Sequence, residues 1–416
     1  MSELSPPSHA APARALPWRA VIGPGLVVML ADTDVGSIIT AGQSGVQWGY
    51  RLLLLQLLLV PILYVVQELT VRLAIFTGRG HGELIRERFG PGWAWLSAGG
   101  LAIASAGALL TEFSGVAGIG ELYGVPRAVS LPLAAIALLA VVLSGSYRRV
   151  ERAAMLLGLF ELAFFGVAWA ARPDLGVLAH DSVTIPLREP GYLYLVAANI
   201  GAVVMPWMVF YQQSAVADKK LGPVHLTAAR WDTALGALVT QLIMAAVLVA
   251  AAATLGAHDR QASLSTVGDM SAALTPFLGH EFGRLVFGLG VLGAALVAAI
   301  VASLALAWGL GEVAGYRRSL EHHPLEARWF YGVYALCVVG GAALVGAAPD
   351  LVSLNLGVQV MNALLLPLVL GFLVALAVHA LPPAQRLRGW YLWLVLALGA
   401  VTCAFGVVGG LGGLLP

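Results

Sequence analysis

Asp32 and Asp34 stand two residues apart in ADTDVGSIIT, residues 31–40, directly after the apolar run VIGPGLVVML at 21–30. A carboxylate inside a hydrocarbon-embedded helix is costly, so an acid kept there is by default a functional group. Its sign suits a cation; an anionic cargo would want bare helix N-termini or an arginine. Asp34 is therefore the first candidate ligand. Asp32 has three readings: a second charge beside the same cation, a cap on a broken half-helix, or a residue towards solvent. A second interruption lies at 201–207, GAVVMPW, where Pro206 removes a backbone donor and crowds the preceding turn. Taken alone, such a proline is a kink. Two interrupted apolar segments in corresponding halves instead mark an inverted-repeat transporter with its site at the midplane. Unwound backbone is tolerated at that depth only where it is buried or lines a cavity.

Other chemistries find little support. No serine–histidine or HExxH-type constellation falls in an apolar segment, which argues against an enzyme. Cys337 and Cys403 lie in separate apolar stretches and imply neither a disulfide framework nor a metal cluster. The histidines fall in expected loops or at helix ends, and His322-His323-Pro324 reads as a solvated loop. The glycine-rich end, GVVGGLGGLLP, reads as a helix terminus or frayed tail and not a phosphate loop.

The elements that must hold these residues follow from composition. Of 416 residues, 59% are hydrophobic and 11% charged, against roughly a quarter charged in soluble proteins. This is an integral membrane protein, all-α, with the lipid bilayer as its surroundings. The net charge of +1 and the lack of a basic block exclude a nucleic-acid partner. A spanning helix needs about 20 mostly apolar residues. Candidates lie near 20–45, 51–76, 93–122, 129–146, 154–171, 191–216, 232–256, 281–312, 329–347, 352–379 and 389–412, eleven in all. Cytoplasmic loops are enriched in Lys and Arg, and this alternation puts 17 of the 23 on the N-terminal side of the membrane and 6 opposite. The expectation is an N-terminus in the cytoplasm and a C-terminus outside. Residues 1–17 are Pro/Ala-rich and read as a disordered cytoplasmic tail, not a signal peptide. Residues 18–416 form one transmembrane domain: repeat one about 20–171, repeat two about 191–379, and an extra helix at 389–412. That is a five-plus-five, LeuT-like inverted repeat with helices one and six broken. The longest stretches between spans, 172–190 and 257–280, read as loops. Oligomeric state is not legible.

At this point several motifs, in order, resemble the Nramp (natural resistance-associated macrophage protein) family of divalent-metal transporters over roughly residues 20–380. GPGLVVMLADTDVGS is similar to the family's first helix, with its Asp-Pro-Gly-Asn motif falling on Asp34-Val35-Gly36-Ser37. Gln67 and VRLAIFTGRGHGELIRERFG (71–90) resemble the end of the second helix and the loop after it. GAVVMP resembles the sixth-helix Met-Pro motif, and Gln359 falls where the tenth helix carries a glutamine. The resemblance implies metal contacts from Asp34, Ser37, the Ala202 carbonyl and the Met205 sulfur, with Gln359 approaching in an occluded state. It implies no cofactor, the metal being cargo. Thr33, Asp32, Trp207 and Gln212 would lie around the site or in a vestibule leading to it, although Gln212 and Gln213 could equally just end their helix.

The departures carry information too. The family's asparagine is Ser37 here, its proline is Val35, and the histidine after Met-Pro is Trp207. Of the third-helix acids tied to proton movement, Glu112 keeps a carboxylate and the second position is Gly115. Such losses resemble the Nramp-related magnesium transporters. Mg²⁺ keeps waters and uses one or two carboxylates with neutral oxygens, whereas the Met205 thioether favours softer transition metals. The expectation is an importer of Mg²⁺ and/or Mn²⁺ with weak or no proton coupling. Two other readings stay open: an ordinary proton-coupled Mn²⁺/Fe²⁺ symporter, and a Na⁺-coupled carrier of a small organic solute.

Overall fold

The computed structural model describes residues 21–258, 264, 267–274, 280–347 and 354–414, and every regular element among them is helical. The tail expected at 1–17 lies outside the described residues. The first apolar segment is split into α1 (Pro24–Asp32) and α2 (Val35–Trp48). Asp34 between them is extended, with φ −73° and ψ 169°, and its carboxylate caps α2. Gly49, at φ 61°, begins a 3-10 turn that leads into α3 (Leu53–Thr77). A left-handed turn suits glycine because it has no Cβ to clash. Then come the short amphipathic α4 (His81–Phe89), α5 (Pro91–Leu122) and α6 (Arg127–Leu143). The next span is α7 (Tyr147–Gly158), a 3-10 turn at Leu159–Leu162 and α8 (Ala163–Ala170), followed by α9 (Leu175–Ser182).

The second interruption separates α10 (Pro190–Val203) from α11 (Pro206–Asp218). Pro206 opens α11, and Met205 before it is extended at φ −99° and ψ 143°. A residue preceding proline is pushed out of the helical region, so the break sits where the sequence puts it. The chain continues through α12 (Leu226–Ala253), α13 (Leu255–His258), α14 (Val267–Leu274), α15 (His280–Ala314), α16 (Arg328–Ala347), α17 (Asn355–His379) and α18 (Gly389–Leu414).

Nine helical stretches among the described residues are long and apolar enough to cross a membrane, and α6, at 17 residues, is a shorter apolar helix. One of the nine, Val35–Thr77, contains both α2 and α3. Most side chains of α10 and α11 are buried, whereas Trp169, Trp329, Trp390 and Trp393 are largely exposed, as lipid-facing aromatics are. The broken helices therefore form the centre, clasped by α12, α15 and α17.

Two expectations need correction. The stretches 172–190 and 257–280 carry short helices and are not plain loops. In the first, Asp174 nucleates α9 by accepting hydrogen bonds from the Gly176 and Val177 amides. In the second, buried Val267 and Met270 hold α14 to the body, Val267 packing on Gly118 of α5.

Candidate functional site

The two breaks meet. Asp34 Oδ1 accepts a hydrogen bond from the Ser37 amide at 2.6 Å, and Ser37 Oγ donates to the Ala202 carbonyl at 3.0 Å, joining α2 to α10. The approach is possible because position 201 is glycine: a Cβ there would overlap the Gln359 carbonyl and lie 2.7 Å from the Ala363 nitrogen. Gly36 likewise leaves room for the Gln359 amide, which faces Asp34. Asn362 Nδ2 donates to Gln359 Oε1 at 3.0 Å and fixes that amide's orientation. Asp34, Ser37, Ala202 and Gln359, predicted separately, are thus brought together, and Met205 is fully buried at the second break.

Lone pairs are left over. Asp34 Oδ2 has no hydrogen-bond partner although it is fully buried. The Ser37 side chain also reaches the Asp34 carboxylate, and the Ala202 oxygen, with two lone pairs, accepts from Ser37 Oγ. Among the described residues no group of three or more His, Cys, Asp or Glu side chains is placed to hold a metal. A cation here would draw on one carboxylate, a hydroxyl, a carbonyl, an amide and a thioether. All five residues are 3% exposed or less, so the site is closed to both sides.

Polar contacts tie the start of α1 and the neighbouring helix ends together. Asp232 of α12 accepts hydrogen bonds from the Gly23, Gly25 and Leu26 amides at 3.1, 2.8 and 3.3 Å, capping α1 across the chain. Lys219 donates to the Ile22 carbonyl and pairs with Glu151 at 2.6 Å. Glu68 pairs with both Arg72 and Arg230 at 2.7 Å.

Around the site, Glu112 of α5 accepts from the Val35 amide at 3.3 Å, and its Oε1 is buried without a partner. Thr33 shares a 2.7 Å hydrogen bond with Thr240 of α12. Asp32 does not cap the half-helix, since neither of its oxygens has a partner; Asp34 does that work. Trp207 is fully buried and its indole N–H is unpartnered among the described residues. Gln212 is held at both ends. Its amide donates to Thr233 and accepts from Thr70, both at 2.9 Å, so it clamps α11 between α3 and α12. Gln213 is buried as well, meeting His81 and donating to the Arg79 carbonyl.

Gly115 has a local reason. A Cβ there would lie 2.5 Å from Val35 Cγ2, so the small residue and the valine fill one space. The sequence reading missed Glu161, a fully buried acid in the 3-10 turn between α7 and α8 that interacts with Thr33, Asp32 and Asp34. The signal was present in FELAFF, a carboxylate within an apolar span.

Comparison with known proteins places this geometry. The chain is 29% identical over 301 residues to the divalent metal cation transporter MntH of Agrobacterium fabrum, an alignment covering 69% of this chain and 64% of that relative's length. It superposes on a solved manganese transporter of Eremococcus coleocola with a TM-score of 0.75, at 16% identity, covering 94% of this chain and 86% of the other. Mhp1, a nucleobase-cation-symport-1 family transporter, gives a TM-score of 0.60 at 16% identity, covering 95% and 91%. These neighbours share the LeuT-like fold. The family model described as natural resistance-associated macrophage protein-like matches residues 25–410, and with two broken helices meeting at a buried aspartate over that span, the chain belongs to the Nramp family of multi-pass membrane transporters.

Proposed function

We propose that this protein carries divalent metal cations across a lipid bilayer by alternating access, with Asp34, Ser37, the Ala202 carbonyl, Met205 and Gln359 as the ligands. The observation that carries this reading is the buried, unpartnered Asp34 Oδ2 beside the Ser37–Ala202 contact that ties the two broken helices. A fixed anion there replaces part of the water a dication sheds on entering the membrane. The name of the Agrobacterium relative and the manganese transporter of Eremococcus coleocola support a divalent cargo. The scaffold in this reading is eleven spans, two repeats and an added helix, with the N-terminus cytoplasmic. Three of the basic residues assigned to the cytoplasmic side are paired with acids: Arg230 with Glu68, Lys219 with Glu151, and Arg318 with Glu83.

The cargo we infer is Mg²⁺ as well as Mn²⁺, with little proton coupling. Gly115 and Trp207 replace two proton-handling groups, and Gly115 is sealed against Val35. Mg²⁺ and Mn²⁺ prefer similar octahedral oxygen sites, so discrimination by the oxygen ligands is modest. Met205 then matters mainly for Mn²⁺. The retained Glu112, with one free oxygen, favours the second reading, a proton-coupled Mn²⁺/Fe²⁺ symporter.

Proteoliposomes loaded with a metal indicator or a pH dye decide between them. Under our reading Mg²⁺ and Mn²⁺ enter without stoichiometric acidification, Asp34→Ala abolishes both, and Met205→Ala spares Mg²⁺. Acidification matched to Mn²⁺ entry, with no Mg²⁺ entry at millimolar concentration, establishes the symporter instead. Uptake near the wild-type rate in Asp34→Ala removes the site assignment.

A further inference from the structure

Beside the transport site is a second group of acids that the metal ligands leave unused. Glu161 sits in the 3-10 turn Leu159–Leu162, within the helical stretch Tyr147–Ala170. Such mid-helix turns are often functional. The turn lies close to α1 because Gly158 lets the two segments touch: a Cβ at 158 would lie 2.6 Å from Leu30 Cδ1. Glu161 and Thr33 each follow that contact by three residues, about one helical turn, so the carboxylate comes to the Thr33 hydroxyl. The hydroxyl is already shared with Thr240 at 2.7 Å.

Both oxygens of Asp32 are buried with no hydrogen-bond partner, the Thr33 hydroxyl is the polar group at the Glu161 carboxylate, and both residues are wholly inaccessible. The charged groups that act on them are acidic: Asp34 on Asp32, and Asp32 and Asp34 on Glu161. Buried carboxylates persist only when something positive or a proton offsets them. One dication at Asp34 cannot serve all of them, since Glu112 also faces Asp34 and Glu161.

We propose that Asp32, Glu161 and the Thr33 hydroxyl form a second, all-oxygen cation site on the α1 side of the break, distinct from the ligands of the transported metal. Two carboxylates and a hydroxyl, without nitrogen or sulfur, select a hard cation, either Na⁺ or a second divalent ion. Its role is to balance the charge that the transport site leaves over and to tie the α7–α8 bend to the unwound end of α1. The proposal rests on the reading of Asp34 as the transport-site anion, and the test separates the two.

The test uses the purified full-length chain in detergent, with thermal unfolding in Na⁺, Mg²⁺ or N-methylglucamine. In the Asp34→Ala protein, which lacks the transport-site anion, millimolar Na⁺ or Mg²⁺ is expected to raise Tm by roughly 2–4 °C over N-methylglucamine. The ion that acts identifies the occupant. Adding Glu161→Gln or Asp32→Asn to that background abolishes the rise. If Asp34→Ala does not fold, Glu161→Gln is made alone, and the Na⁺ or Mg²⁺ increment above saturating Mn²⁺ is expected to disappear. No cation-dependent rise in Asp34→Ala, or a rise that survives Glu161→Gln, overturns the second site. Wild-type uptake in Asp34→Ala overturns only the transport-site assignment, and the Tm data still judge Glu161.

Discussion

Gly201→Ala tests the claim that the site exists because α10 and α17 touch backbone to backbone. A Cβ at 201 would lie 2.8 Å from the Gln359 carbonyl carbon and 2.7 Å from the Ala363 nitrogen. Unstrained carbon–carbon contact begins near about 3.5 Å. The helices must therefore separate by about 0.7 Å or more, because the obstructing atoms are helical backbone with no side-chain end to swing away. Overpacking of this kind costs about 1–3 kcal/mol, and rigid backbone on both sides puts Gly201 at the upper end. The same movement lengthens the 3.0 Å Ser37–Ala202 contact and withdraws the Gln359 amide. Since a misplacement of about 1 Å can cost a factor of about 100 in an organised site, uptake should fall at least roughly tenfold. The assay pairs thermal unfolding in detergent with metal uptake into proteoliposomes. Gly99→Ala is the control, a helical glycine on the exposed face of α5 whose Cβ would meet nothing within 4 Å. Wild-type Tm and uptake in Gly201→Ala, matching Gly99→Ala, would refute the reasoning.

Gly115→Ala should cost about 1–3 kcal/mol through its 2.5 Å clash with Val35, and Val35→Ala should recover most of that in a double-mutant cycle; additive losses would break the link. Asp232→Asn weakens three hydrogen bonds to the start of α1, so about 1–2 kcal/mol of stability should go and a cysteine at Ile22 should label faster; unchanged labelling would deny Asp232 a gating role. His81 lies between membrane spans, and burial pushes its pKa down from 6.5 to about 4, partly opposed by its contact with Gln213. A histidine held neutral in the native state contributes stability that is complete above the unfolded value of 6.5 and is lost as pH falls toward about 4. Between pH 6.5 and 5 the loss should be about 1.6 kcal/mol, and His81→Gln should flatten the Tm–pH curve there; equal acid sensitivity in both proteins would contradict this.

The sequence alone determined the membrane class and the positions of both breaks, because each rests on local chemistry. Hydrocarbon length sets the run of apolar residues, Pro206 cannot donate within a helix, and Asp34 caps the half-helix that follows it. Asp34 stands out by itself as a carboxylate in an apolar helix, whereas Ser37 and Gln359 became candidates only through the resemblance to the Nramp motifs they occupy. Only tertiary structure decided which surplus polar groups belong to the site. Gln212 could be read from sequence as a vestibule residue or a helix end, and only the structure shows both ends of its amide engaged, by Thr70 and Thr233 from other helices. Asp232 and Asp32 are both acids in apolar surroundings, yet one is satisfied by three amides 206–209 residues away while the other has no partner. Glu161 gains its meaning from the close passage of Gly158 across Leu30. Whether a buried polar atom is satisfied depends on what other segments bring to it, and helix periodicity carries no record of that.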